Sequence, residues 1–334
     1  MKIIIIQENG RHDANRNFRE CFSLQRAFKK LNHECDVWGL NHDNFDIIPD
    51  WNSYDLIFNI ENYDTTGWVP SFKSATKPKK ALWSIDAHCR GEEIFENTFK
   101  EGNYDYLLHS TKDFVKEDYH IWFPNAYDDS LIYPIDDVEK SIELGFCGNY
   151  VNRRALLENL QSVHGLHLDI FVIGDDMVKA INSYKCHFNL NIANDINYRS
   201  FETIGCGTVL LTNYDTQYEE LGFEDGVNCL MYKDEETLTS CINMVKYKDM
   251  TDIAKAGLEI KVIHSCDDNP YYLDFWKPIS RVWKEGFNIT PVLIHVGNEK
   301  VENEHGEVHS IIPDESLPIH TQAQLARLWY PIKE

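Results

Sequence analysis

No two cysteines in this chain stand in a C-x-x-C spacing. The nine it has (Cys21, Cys35, Cys89, Cys147, Cys186, Cys206, Cys229, Cys241 and Cys266) are scattered and odd in number, a pattern that argues against both a disulfide framework and a cysteine zinc site. The fourteen histidines form neither an H-E-x-x-H motif nor a cluster, so no structural metal is expected; a divalent cation travelling with a nucleotide is left open. The longest apolar run is far short of the roughly 20 residues that span a bilayer. The opening MKIIIIQ has only four consecutive isoleucines before Gln7 and Glu8, which reads as a buried first strand rather than a signal peptide and predicts a cytoplasmic protein. Basic residues are also scarce. Against 54 Asp and Glu stand 32 Lys and Arg, a net charge of −22, so the long-range field repels polyanions and tight nonspecific DNA binding is disfavoured. The short basic run Lys73, Lys77, Lys79 and Lys80 reads as a solvated loop. No internal repeat or low-complexity linker interrupts the chain.

What is present is a globular α/β pattern. With 334 residues, 43% hydrophobic and 26% charged, the chain is long enough for two domains, each with its own core. The first half alternates short apolar strands with helices: strands at Ile3 to Ile6, Cys35 to Gly39, Leu56 to Ile60, Lys80 to Ile85, Tyr106 to His109 and Trp122 to Pro124, and an amphipathic helix from Phe18 to Leu31 that turns Phe22, Leu24, Phe28 and Leu31 inward. Strands apolar on both faces are those of a parallel sheet covered by helices. The pattern restarts near Ser141 and runs to Tyr232. Helices are then expected over Asp234 to Tyr247 and Asp249 to Ile263, followed by a Pro278-kinked aromatic helix over Pro270 to Trp283 and a hairpin-like stretch, PVLIHVGNEKVENEHGEVHSII.

The stretch from Asn197 to Asn213, NYRSFETIGCGTVLLTN, carries the most chemistry. A short helix runs into the glycine stops at Gly205 and Gly207 and then into a buried strand. In such sheets ligands lie beyond the carboxyl ends of the strands, where helix N-termini meet phosphate and a carboxylate can hold ribose hydroxyls. Glu202 fits the ribose role; the competing reading is an acid on a solvated helix face. Upstream, Gly148-Asn149 follows the strand Leu144 to Cys147 and precedes Arg153 and Arg154, so main-chain N–H groups and a guanidinium can meet a diphosphate together. Arg199 is a second guanidinium of this kind, with a salt bridge to Glu202 or Asp195 as its alternative. Thr212, Asn213 and Tyr214 end the following strand and are expected to line the same ligand.

These segments, in this order, resemble the C-terminal half of GT-B glycosyltransferases, most closely the CgeB-like group. The likeness rests on YDYLLHSTKDFVKEDYHIWFPNAYDDSLIYP, ELGFCGNYVNRRALLENL, LDIFVIGDD, CHFNLNI, RSFETIGCGTVLLTN and ELGFEDGVNCLMYKDEETLTSCI, and covers roughly residues 80 to 270. The resemblance implies an α/β fold of two Rossmann-like domains facing across a cleft: an acceptor domain over 1–136, a nucleotide-sugar domain over 137–288, and an extension over 289–334 of unassigned role. It implies transfer of a sugar from a nucleoside diphosphate sugar to a hydroxyl acceptor, with no tightly bound cofactor and no membrane span, and it leaves a homo-oligomer open. One departure stands out. Many retaining relatives carry two glutamates eight positions apart, and eight positions before Glu202 stands Asn194, with Asp195 beside it.

Direct displacement with inversion needs a base for the acceptor hydroxyl. SIDAHCRGEE places Asp86 and His88 at the end of the fourth strand, and a carboxylate beside an imidazole is a general-base arrangement; a loop histidine that is merely hydrogen-bonded is the plainer alternative. The loop after the first strand, with Gly10, Arg11, His12 and Asp13, is the other acceptor-side candidate. Two competing functions keep the same fold: a virus-type DNA glycosyltransferase acting on a hydroxylated base, and a catalytically silent scaffold that binds a sugar nucleotide or a partner.

Overall fold

A computed structural model describes residues 1–61, 67–258, 263–267, 292–296 and 307–311 and the single positions 281, 284 and 301. Residues Met1–Leu258 form one compact unit and Glu259–Glu334 a second. The first unit holds two parallel sheets. In the first, β1 (Lys2–Ile6), β2 (Glu34–Trp38), β3 (Leu56–Ile60), β4 (Lys79–Ser84), β5 (Tyr106–His109) and β6 (His120–Trp122) lie in the order β2-β1-β3-β4-β5-β6. Ile3, Ile5, Phe58, Trp83 and Cys21 pack on one face, and Ile4, Ile6, Trp38, Ile57, Leu82 and Phe95 on the other. Burial on both faces is why these strands read as continuous apolar runs. The helices are α1 (Glu20–Lys30), α2 (Ala87–Arg90) and α3 (Glu92–Gly102). The sixth strand sits two residues earlier than expected. Pro124 has no N–H to donate, and the ladder closes at the Phe123 N–H, which donates to His109 O at 2.8 Å.

The second sheet contains β7 (Ile142–Gly148), β8 (His167–Ile170), β9 (Tyr184–Phe188), β10 (Val209–Asn213) and β11 (Leu230–Tyr232), in the order β11-β10-β9-β7-β8. Its helices are α4 (Arg154–His164), α5 (Asp175–Ser183), α6 (Tyr198–Gly205), α7 (Thr216–Glu220), α8 (Glu235–Tyr247) and α9 (Thr251–Leu258). Asp234 caps α8 in a reciprocal box with Thr237, its carboxylate accepting the Thr237 N–H at 2.8 Å. In each sheet the strand order reverses once, between β1 and β3 and between β7 and β9. Those are the positions where open α/β sheets leave a crevice for ligands.

Two expectations for the C-terminal region are corrected. The helix predicted to reach Ile263 ends at Leu258, and Ile263 opens a strand, β12 (Ile263–Asp267). The arms of the expected hairpin, β13 (Val292–Val296) and β14 (Glu307–Ile311), pair in parallel, Val292 opposite Glu307, in the order β12-β13-β14. A hairpin pairs its arms antiparallel through a tight turn; the longer connection here lets the chain return in the same direction. Leu293 is buried in this unit, with Val301 and Val308 packed on it. The predicted aromatic helix over Pro270 to Trp283 lies outside the described residues, apart from Arg281.

Candidate functional site

The centre of the second sheet is a buried amide network that sets the start of α6. Asn197 caps the helix, its Oδ1 accepting the Arg199 N–H at 3.0 Å, while its Nδ2 donates to Asn189 Oδ1 at 3.1 Å. Asn189 Nδ2 reaches Ser200 Oγ and Thr212 Oγ1, and Asn191 Nδ2 donates to the Tyr218 hydroxyl at 2.8 Å. Buried polar groups are tolerated only when they are partnered in this way. Thr212 is fully buried with its hydroxyl in this network, and Asn213 Oδ1 accepts the Asn191 N–H at 2.7 Å. Both therefore support the site's framework. Tyr214 is partly exposed beyond them, its hydroxyl donating to Glu219 and the Lys233 ammonium lying 4.1 Å from its ring centre.

His187 ties α6 to β7. The Cys147 N–H donates to its Nε2 at 3.0 Å, so Nδ1 carries the proton and donates to Thr203 Oγ1 at 2.6 Å. Burial, then the nearby Arg199 charge, pushes its pKa down to about 3, and the ring stays neutral. On the same helix Arg199 forms an ion pair with Glu202, and its Nε donates to Cys147 O at 2.9 Å. The two side chains are 24% and 12% exposed. The alternative reading of Arg199 as a salt-bridge partner of Glu202 is therefore present in the fold, and it puts both groups at the carboxyl end of β7.

There they meet Gly148 and Asn149. Arg153 donates from Nε to Leu190 O at 3.0 Å and from Nη1 to Asn149 O at 3.1 Å. Its bonds go to main-chain carbonyls, and among the described residues it has no carboxylate partner of its own. Burial, then the Arg199 charge, lowers its pKa. A guanidinium disfavoured by its neighbour's charge is one that an anion would stabilise. Arg154 differs: its Nε is 2.9 Å from Glu158, and its side chain is 67% exposed.

At the end of the first sheet, Asp86 precedes α2 and His88 lies within it. The carboxylate beside His88 is Asp195, with Nε2 to Oδ2 at 3.8 Å. Asp195 comes from the loop before α6, is 7% exposed, and accepts the Thr111 hydroxyl at 3.2 Å. Burial raises its pKa, opposed by the charge of His88. The same junction is closed by the Lys112 N–H donating to Gln217 Oε1 at 2.8 Å, Asn194 Nδ2 donating to Asp113 at 2.9 Å and Asn125 Nδ2 donating to Ile196 O at 3.0 Å. Asn194, at the missing-glutamate position, is thus engaged with the first sheet.

Two acidic positions went unnoticed in the sequence. Glu61, just past β3, has φ 55° and accepts the N–H groups of Ile85 and Asp86, the latter at 2.8 Å. Burial, then the charge of Asp86, pushes its pKa up to about 7. Glu20 at the start of α1 accepts from Gln7 at 2.8 Å. The only signal was Glu61's place directly after an apolar strand. Tyr198 of α6 packs against the first sheet's core with its hydroxyl buried and unpartnered. In the other acceptor-side loop, Arg11, His12 and Asp13 are exposed, Asp13 pairs with Arg16 at 2.8 Å, and Gly10 O accepts from Arg16 at 3.3 Å. The main chain of that loop reaches the second sheet's side. Gly174 (φ 64°) lies so close to Ala14 that a Cβ would stand 2.1 Å from its carbonyl oxygen. Among the described residues no group of acidic, histidine or cysteine side chains is arranged to hold a metal ion, and no helix is long and apolar enough to cross a membrane.

Residues 152–269 match a family model described as glycosyl transferase-like. No curated protein matches the chain. Among solved structures, HepE from Anabaena, in complex with UDP and glucose, is 12% identical with a TM-score of 0.54, covering 77% of this chain and 94% of that one. Sucrose-phosphate synthase from Thermosynechococcus elongatus is 10% identical with a TM-score of 0.55, over 77% and 93%. The T4 phage β-glucosyltransferase is 15% identical with a TM-score of 0.51, over 86% and 98%. The fold is shared with these GT-B proteins at low identity. Residues 152–269 are thus similar to a glycosyl transferase-like domain, and the two parallel sheets share the architecture of these solved structures.

Proposed function

We propose that this protein transfers a sugar from a nucleoside diphosphate sugar, with UDP-glucose the first donor to try, to the hydroxyl of a small molecule or glycan. The observation that carries the reading is the meeting of Arg153, Arg199 and Glu202 at the carboxyl end of β7, where, among the described residues, Arg153 is bonded only to main-chain carbonyls. Arg153 and Arg199 take the diphosphate and Glu202 the ribose, with Gly148 and Asn149 supplying main-chain N–H groups. Asn213 and Tyr214 border the donor, and Thr212 supports them from below. HepE was solved with UDP-glucose, which supports that choice of donor.

Residues 1–136 then serve as the acceptor domain and 137–288 as the donor domain, with 289–334 an extension, in a cytoplasmic enzyme of the CgeB-like group. His88 and Asp86 lie on the acceptor side, with the Gly10 to Asp13 loop as the outer contact. The net charge of −22 and the acids Glu20, Glu61 and Asp86 disfavour a nucleic acid acceptor. Calorimetry with UDP and UDP-glucose tests the donor assignment. Binding of either that is weakened at least tenfold by Glu202→Gln is the expected result, and an unchanged affinity in that variant overturns the ribose role.

A further inference from the structure

We infer that Asp195, supplied by the donor-side sheet, is the positioning residue of the acceptor-side base. It holds His88 across the junction, so that the other imidazole nitrogen takes the acceptor proton. The inference rests on the sugar-transfer reading. Its geometry does not depend on which donor is used.

Every partner named for the Asp195 carboxylate lies on the first sheet's loops. Oδ1 accepts from Thr111 at 3.2 Å, and Oδ2 lies 3.8 Å from His88 Nε2, with side chains 12% and 10% exposed for His88 and Asp195. Ser110 and Asp86 face the same carboxylate. Both oxygens thereby face first-sheet groups, which argues against Asp195 standing in for the missing glutamate at the sugar. Among the described residues no hydrogen bond joins His88 to Asp86, its expected partner, whose main-chain N–H is bound by Glu61. The remaining imidazole nitrogen, Nδ1, is buried and has no hydrogen-bond partner among the described residues. A buried, unpaired nitrogen opposite a carboxylate-facing one is what an oriented base requires. In the tautomer that carries its proton on Nε2, the nitrogen facing Asp195, the Nδ1 lone pair is free.

The step balances on these groups. The acceptor oxygen forms a bond to the anomeric carbon as the bond from that carbon to the diphosphate oxygen breaks. The diphosphate leaves with the electron pair, the hydroxyl proton passes to His88 Nδ1, and the Asp195 charge stabilises the imidazolium. Asp195 stands two residues before the cap of the helix that carries Arg199 and Glu202, so the element that grips the donor also orients the base.

The test follows the His88 ring by NMR through a pH titration in the wild type and in Asp195→Asn, which is nearly isosteric and keeps the oxygen that Thr111 reaches. The expected result is a His88 titration step that moves to lower pH in the variant, as loss of a facing negative charge dictates, with UDP affinity by calorimetry unchanged within twofold. With a donor and acceptor in hand, kcat should fall roughly 10²- to 10⁴-fold at unchanged donor KM. In the unmutated protein the Asp195 carboxyl carbon should report the His88 titration step, a readout that survives even if the variant does not fold. Identical His88 titration in both proteins, or a wild-type Asp195 signal blind to it, overturns the inference. A wild type that binds no nucleotide instead defeats the sugar-transfer reading, while the His88 titration still decides the pairing.

Discussion

The ends of the two sheets are built from opposite chemistry. The first presents acids and an imidazole: Glu20, Glu61, Asp86 and His88. The second presents guanidiniums, a carboxylate paired to one of them, and amides: Arg153, Arg199 and Glu202 over the network of Asn189, Asn191 and Asn197. The second is locked, since nearly every polar group is hydrogen-bonded to a neighbour. The first keeps groups in reserve, among them the unpartnered His88 Nδ1 and a Glu61 carboxyl whose pKa is pushed up to about 7. A rigid cationic end suits a constant anionic group, and a titratable acidic end suits proton transfer.

The largest effect should come from breaking the reactive end. His88→Ala should lower turnover by roughly 10²- to 10⁴-fold, as loss of a general base does, while UDP affinity stays within twofold. Asp86→Asn should cost less than His88→Ala if Asp195 is the imidazole's partner. Steady-state kinetics paired with calorimetry would separate these outcomes, and a wild-type rate in His88→Ala would remove it from the mechanism.

The titration of Glu61 sharpens the same contrast through stability. Its folded pKa is raised from 4.5 to about 7, so between those values the folded protein binds more protons than the unfolded one. Stability should therefore fall as pH rises from about 4.5 to about 7 and then level off, by at most about 3 kcal/mol from this group. Glu61→Gln removes that loss, so its melting temperature relative to wild type should be higher at pH 8 than at pH 5. Parallel melting curves at the two pH values would show Glu61 to be ordinary.

Breaking the rigid end should act on binding. Arg153→Ala and Glu202→Gln should each weaken UDP by at least tenfold, in line with about 1.5 to 3 kcal/mol for a charge-assisted hydrogen bond. Arg154→Ala, which removes an exposed pair with Glu158, should leave affinity within twofold. Equal losses for Arg153 and Arg154 would contradict the ranking. Finally, Gly174→Ala joins a left-handed conformation to a collision with Ala14 O, and should cost about 1 to 3 kcal/mol in chemical denaturation. A neutral result would mean that the two sheets do not depend on that contact.

Local pattern carried much of the fold. Leu56–Ile60 and Tyr106–His109 were legible to the residue because strands buried on both faces are uninterrupted apolar runs. The helix bearing Glu202 was legible because glycines end it and a β-branched strand follows. The C-terminal strands were misread as a hairpin, since two apolar arms around a charged turn look alike whether the chain returns antiparallel or crosses over. Glu61 was missed because a lone acid after a strand carries no periodic signal, and its burial comes from the turn at Ile85 and Asp86.

By itself the sequence determined that two parallel α/β sheets would form and that Glu202, Arg199 and Arg153 would lie beyond strand ends, because side-chain periodicity and glycine stops act over a few residues. Only the tertiary structure decided which guanidinium is left without a carboxylate of its own, that Thr212 lies inside the framework, and that the partner of His88 is Asp195 and not its neighbour Asp86. Those outcomes depend on pairs far apart in the chain, and such pairs are set by how the sheets pack, which local patterns do not encode.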